Sequence, residues 1–289
     1  MFLSMQVEIL HFLMTRFAND LPKMIGKRDG SNLFNSIGCL PVNTITTVLE
    51  HIPPDDHMTY IMSTHPTTGY NLLMWLIEEN NVEVFSWLLD FVEKEDWLVI
   101  VSAKNTSGMT CLHMVAYRGR CDMYKMIIDS LTANDVISLL SERDSGECIV
   151  LHYASTERLM AEAVISTISS TELLSQLNAV NRFGWTSLHI ACAYADLETV
   201  TFILAQIKDE KSRLDYIRKT TPENCTSLHL AAQRTAKDKM MAVLSSYFSD
   251  KAALRSFTSM TNINGDTAGQ IATSQETKIK GGMSFGWVK

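Results

Sequence analysis

The six cysteines of this 289-residue chain form no Cys-x-x-Cys pair. No run of five or more Lys and Arg exists, and no apolar run exceeds six residues, the length of Leu72–Ile77. Each absence argues against a class of function. Cysteines and histidines that do not cluster argue against a four-ligand zinc site and suit reduced thiols in a cytosolic protein. A net charge of −7 without a basic run argues against nucleic acid, whose phosphate backbone needs a positive field. The apolar runs fall far short of the ~20 residues that span a bilayer, so no membrane insertion is expected. The amino terminus, Met1 to Met14, is fairly apolar but carries Glu8 and His11 and lacks a basic start, which argues against a secretory signal.

Catalytic signatures are missing as well. There is no Gly-rich phosphate loop, no HExxH, no paired-carboxylate motif and no Gly-x-Ser-x-Gly elbow. The sequence therefore predicts no catalytic residue, no metal site and no cofactor. At 46% hydrophobic it has ample material for a core.

What the chain does have is a recurring phrase: Thr110-Cys111-Leu112-His113, Val150-Leu151-His152, Thr186-Ser187-Leu188-His189 and Thr226-Ser227-Leu228-His229. Counted from a turn residue at position zero, the repeat falls at Gly30, Gly69, Gly108, Glu147, Gly184, Asn224 and Gly265. The intervals are 39, 39, 39, 37, 40 and 41 residues. A phrase at fixed spacing belongs to a stacked array, and arrays present surfaces more often than chemistry.

Two residues after the turn stand Asn32, Asn71, Thr110, Ile149, Thr186, Thr226 and Thr267. All but Ile149 have a side-chain oxygen that can cap a helix. Position four is apolar, as in Leu73, Leu112, Leu151, Leu188 and Leu228. Small residues follow at positions seven and eight, as in Ala191-Cys192 and Ala231-Ala232. These positions share one helical face, where small side chains let neighbouring helices approach closely. A second helix follows, as at 82–89 and 198–204. A third segment has a polar start and three-to-four spacing, as at 132–140 and 170–177, which predicts a short capped helix of about two turns.

With these residues the chain resembles the ankyrin repeat family, whose unit is ~33 residues with a T-P-L-H-x-A signature. The resemblance covers roughly residues 28–275, and the added length per unit is similar to long-repeat ankyrin proteins. It implies an all-α ankyrin-repeat solenoid of stacked helix–loop–helix units with an extra short helix in each. It also implies that the histidines bond between adjacent turn loops. The expected organisation is a half-unit at 1–29, six repeats at 30–264, a half-unit at 265–276 and a flexible tail at 277–289. No unit keeps Pro after the Thr, and the last has Gly269 where Leu belongs.

The resemblance further implies a non-catalytic scaffold or adaptor that binds another protein through a concave groove and its loop tips. By repeat position the contact residues are Tyr70, Glu78, Glu79, Met109, Tyr117, Arg118, Phe183, Trp185, Tyr194, Gln233 and Arg234. Tyr, Trp, Met and Arg are frequent anchors of protein interfaces. A cytoplasmic setting is expected, or host cytosol if the chain is a secreted effector. Two other readings stay open: a targeting module of a larger or secreted protein, and a ubiquitin-ligase adaptor. The second rests on residues 40–63, which resemble an F-box, although the repeat period also accounts for that segment. Self-association through the half-unit ends is a further option, since Met5, Val7, Ile9, Leu10, Phe12 and Leu13 could leave an apolar face open.

Overall fold

The computed structural model describes Leu49, residues 53–234 and residues 237–274. The half-unit at 1–29, the turn at Gly30, most of residues 40–52 and the tail at 277–289 lie outside the described residues. A 3-10 turn, Pro54–Asp56, leads into α1 (His57–Ile61). Then come five successive triplets of helices. These are α2 (Leu72–Glu79), α3 (Val82–Phe91) and α4 (Lys94–Ser102); α5 (Cys111–Tyr117), α6 (Cys121–Ser130) and α7 (Ala133–Ser141); and α8 (Val150–Ala154), α9 (Arg158–Thr167) and α10 (Ser170–Asn178). The last two are α11 (Ser187–Tyr194), α12 (Leu197–Gln206) and α13 (Glu210–Ile217); and α14 (Ser227–Ala232), α15 (Lys237–Ser246) and α16 (Lys251–Thr258). A further first helix, α17 (Ala268–Thr273), follows. The fold is all-α; among the described residues the β-type pairings are the isolated bridges Thr220–Thr226 and Thr261–Thr267.

Capping residues set the helix starts. Asn71 accepts the Met74 amide at 2.9 Å, Thr186 that of His189 at 3.4 Å and Thr267 that of Gln270 at 3.3 Å. Second and third helices use the same device: Asp196 accepts from Thr199 at 2.8 Å, Asp209 from Ser212 at 2.7 Å and Asp250 from Ala253 at 2.8 Å. Such caps satisfy amides that have no partner within the helix. Helices this short are marginal alone, so packing must hold them.

The chain divides into two compact units. One runs to Ala154 and includes Ala163–Ile168; the other holds Ser155–Glu162 and continues from Ser169. In the first unit, α2 packs on α5 and α5 on α8, so first helices lie side by side. Every residue of α5 from Cys111 to Ala116 is buried. The second helix α6 buries a stripe, Met123, Tyr124 and Ile127, and turns Asp122, Lys125 and Asp129 to solvent. The third helix α7 buries Val136, Leu139 and Leu140. In the second unit, α11 packs on α14 and α14 on α17, with α12 against α15. Leu188 and Leu228, at position four, are almost completely buried, and each such side chain contributes about 1.5–3 kcal/mol of transfer free energy.

Candidate protein-binding surface

The loops that carry the candidate contacts are built from one recurrent set of bonds. The turn residues have left-handed backbone: Gly69 at φ 68°, Gly108 at 73°, Gly184 at 70° and Gly265 at 81°, with Glu147 at 58° and Asn224 at 57° in the same role. Only glycine takes this conformation freely. Close approach adds a second reason. A Cβ on Gly108 would lie 2.8 Å from the Ser145 amide, and one on Gly184 would lie 2.4 Å from Pro222 Cδ.

Adjacent loops bond backbone to backbone. Thr106 N–H donates to Thr68 O at 3.1 Å, Ser145 to Ser107 at 3.0 Å and Ile263 to Glu223 at 2.9 Å. The corresponding residue in the Asn224 loop is Pro222, which has no N–H to give. Three residues before four of the six turns, Asn105, Asp144, Asn181 and Asn262 fold the loop onto themselves. Asn181 Oδ1, for example, accepts from Phe183 and Trp185, both at 3.0 Å. These Asx residues recur with the period of the repeat, a signal the sequence reading did not use.

The histidines tie each loop to its first helix. Nδ1 of His189 accepts the Thr186 amide at 3.1 Å, and Nδ1 of His229 accepts that of Thr226 at 3.1 Å. An Nδ1 that accepts leaves the proton on Nε2. That Nε2–H donates onward: His113 to Cys148 O at 3.0 Å, His189 to Lys219 O at 3.1 Å and His229 to Asp266 O at 3.2 Å. Burial disfavours the imidazolium, lowering His189 to about 4 and moving His113 and His229 down as well. Both ring nitrogens of these three histidines are committed to structural bonds, which leaves none to shuttle a proton.

Among the described residues no group of three or more His, Cys, Asp or Glu is placed to hold a metal ion. No helix among them is long and apolar enough to cross a membrane. Cys111, Cys192 and Cys225 are free thiols.

The structure sorts the expected contact residues. In the first unit Met109 is buried, its amide held by Asn105 Oδ1 at 3.0 Å. Glu78 and Arg118 face each other across two repeats: Arg118 Nε donates to Glu78 Oε2 at 2.9 Å, and a second bond joins its Nη2 to Oε1. A bidentate pair of this kind is a clasp between α2 and α5 rather than two open anchors. Tyr70 is half-buried, edge-on to Trp75 with centroids 5.4 Å apart, and Tyr117 is half-buried beside Tyr153 at 5.8 Å. Glu79 is exposed. Tyr153 itself donates its hydroxyl to the buried Asp144 carboxylate.

In the second unit Trp185 is buried and stacks on Tyr194 with centroids 6.4 Å apart. Tyr194 is 39% exposed. Arg234 reaches back to the carbonyls of Cys192 at 3.4 Å and Ala195, where α11 ends. Its positive charge suits the negative end of that helix. Phe183 is half-buried with the Arg182 guanidinium over its ring at 4.8 Å, and Gln233 is exposed. The remaining surface thus comprises Tyr70, Glu79 and Tyr117 in one unit, and Phe183, Tyr194 and Gln233 in the other.

Comparison with known proteins agrees with this geometry. Residues 73–128, spanning α2 to most of α6, match the family described as ankyrin repeats (many copies). Within this stretch the chain is similar to ankyrin repeats. It is 31% identical over 93 residues to the mouse ankyrin repeat domain-containing protein SOWAHD, covering 32% of this chain and 27% of that protein. Against the human protein of the same name it is 30% identical over 88 residues, 30% of this chain and 26% of that one. The matched region thus spans about a quarter of the length of these relatives. Ankyrin repeats are protein–protein interaction modules, and the loops and first helices described above are the parts the repeats share.

Proposed function

We propose that this chain is a non-catalytic adaptor that binds a partner protein through its loop tips and the ends of its first helices. The observation that carries the reading is the set of Tyr and Phe side chains left partly in solvent there: Tyr70 and Tyr117 in one unit, Phe183 and Tyr194 in the other. Tyr70 and Phe183 stand on hydrogen-bonded loops, and Tyr117 and Tyr194 are the last residues of α5 and α11, so little ordering entropy opposes binding. Aromatic side chains bury large area with few rotatable bonds, which suits them as anchors. Glu78, Arg118 and Arg234 support the surface by holding adjacent repeats in register. The histidines, occupied in the loop ladder, support the absence of chemistry.

The test is affinity purification of the tagged chain and of a Tyr70→Ala/Tyr117→Ala/Phe183→Ala/Tyr194→Ala variant from cells that express it. The proposal expects a partner enriched by the wild type and lost from the variant, with helical content kept. Equal recovery by both proteins would place the contact elsewhere.

A further inference from the structure

The second helix α3 carries an aromatic platform away from the loop tips. Trp87 and Phe91 stack at i and i+4, with centroids 4.5 Å apart and planes inclined by 22°. His57 of α1 lies against Phe91 with centroids 4.7 Å apart. All three rings are half-buried, so each keeps part of its surface in solvent. Exposed carboxylates flank them in the chain. Glu83 precedes Trp87 by one helical turn on the same stripe, Asp90 sits beside Phe91, and Asp55 and Glu93 border the platform in the chain; all four are exposed. None of the four has an ion-pair partner among the described residues. Lys94 is the neighbouring cation in the chain.

The second unit shows how this position is used when its charge is satisfied internally. Phe202 holds the same repeat position in α12 that Trp87 holds in α3, eighteen residues after the turn. There the Arg158 guanidinium sits over the Phe202 ring at 3.6 Å while its Nη1 donates to Glu162 at 2.7 Å. One guanidinium thus meets an aromatic face and a carboxylate together. At α3 the aromatic face and the carboxylates are present, and no arginine among the described residues lies over Trp87 or Phe91.

We propose that the Trp87–Phe91 platform is a second docking surface, which takes an arginine-bearing basic segment of a partner protein. The planar guanidinium stacks on the aromatic pair, and Glu83 and Asp90 accept its N–H groups. This surface is independent of the loop-tip surface proposed above, and either can fail without the other.

The experiment uses the full chain and a fluorescein-labelled peptide of alternating Arg and Ser, read by fluorescence anisotropy. Lys–Ser and Glu–Ser peptides serve as comparisons. The expected result is that the Arg peptide binds, the Glu peptide does not, and the Lys peptide binds several-fold more weakly than the Arg peptide. Trp87→Met keeps an apolar side chain but removes the π-face, and should weaken Arg-peptide binding about three- to thirtyfold. Glu83→Lys/Asp90→Lys alters only exposed positions and should abolish it. Wild-type affinity in Trp87→Met, equal affinity for the Arg and Lys peptides, or no binding by the wild-type chain would each overturn the assignment.

Discussion

His189 joins two loops at once: its Nδ1 accepts the amide of Thr186, and its Nε2–H donates to the carbonyl of Lys219, thirty residues further on. Replacing it with Leu keeps much of the volume but leaves a buried amide and a part-buried carbonyl without partners. An unsatisfied buried polar group costs about 1–3 kcal/mol. His189→Leu should therefore lower stability by about 2–4 kcal/mol in denaturant titration. Thr186→Ala, which loses the cap and the hydroxyl's contact with His189 Nδ1, should cost about 1–2 kcal/mol.

Acid should weaken the same joints. The folded-state pKa of His189 lies at about 4, below the ordinary histidine value of 6.5, because burial penalises the imidazolium. Between these two values the unfolded chain binds the extra proton and the folded chain does not. The stability contribution is therefore full above pH 6.5, falls as pH drops, and is gone below about 4. Each pKa unit is worth ~1.4 kcal/mol, so His189 alone accounts for about 3 kcal/mol across that window. His113 and His229 shift the same way. Urea midpoints measured from pH 7.5 to 4.5 should fall steadily in the wild type and less steeply in His189→Gln.

The turn glycines are not equivalent. Gly184 combines positive φ with contact on Pro222, whereas a Cβ on Gly265 would meet nothing within 4 Å. Gly184→Ala should cost more than 2 kcal/mol, and Gly265→Ala only the ~1–2 kcal/mol of left-handed backbone. Thermal melts of the two variants give the comparison directly.

Glu147 occupies a left-handed turn at φ 58°. Its side chain is exposed, so removing it sacrifices little packing. Glu147→Gly should raise stability by about 1 kcal/mol, the relief of that strain less the added freedom of the unfolded chain. A lower melting temperature would mean that the Glu147 side chain has a role the backbone argument misses.

Much of the fold was legible because it is periodic. The caps Asn71, Thr110, Thr186 and Thr267, the buried Leu188 and Leu228, and the third helix of each triplet all follow from the spacing of residues along one chain. The candidate surface was less legible because it depends on pairs far apart in sequence. Nothing local shows that Arg118 will pair with Glu78, forty residues earlier, or that Arg234 will cap the end of α11. Met109 and Trp185 hold the same loop position as Tyr70, yet both are buried. Their amides are pinned by Asn105 and Asn181, and Trp185 stacks on Tyr194. The Asx residue that pins four of these loops was visible in the sequence, but its meaning came only with the hydrogen bonds.

Hydrogen–deuterium exchange of the chain with and without its captured partner tests the binding account most directly. The account predicts new protection in the loops around Tyr70 and Phe183 and at the first-helix ends carrying Tyr117 and Tyr194. Protection confined to the second and third helices, with those loops unchanged, would contradict it.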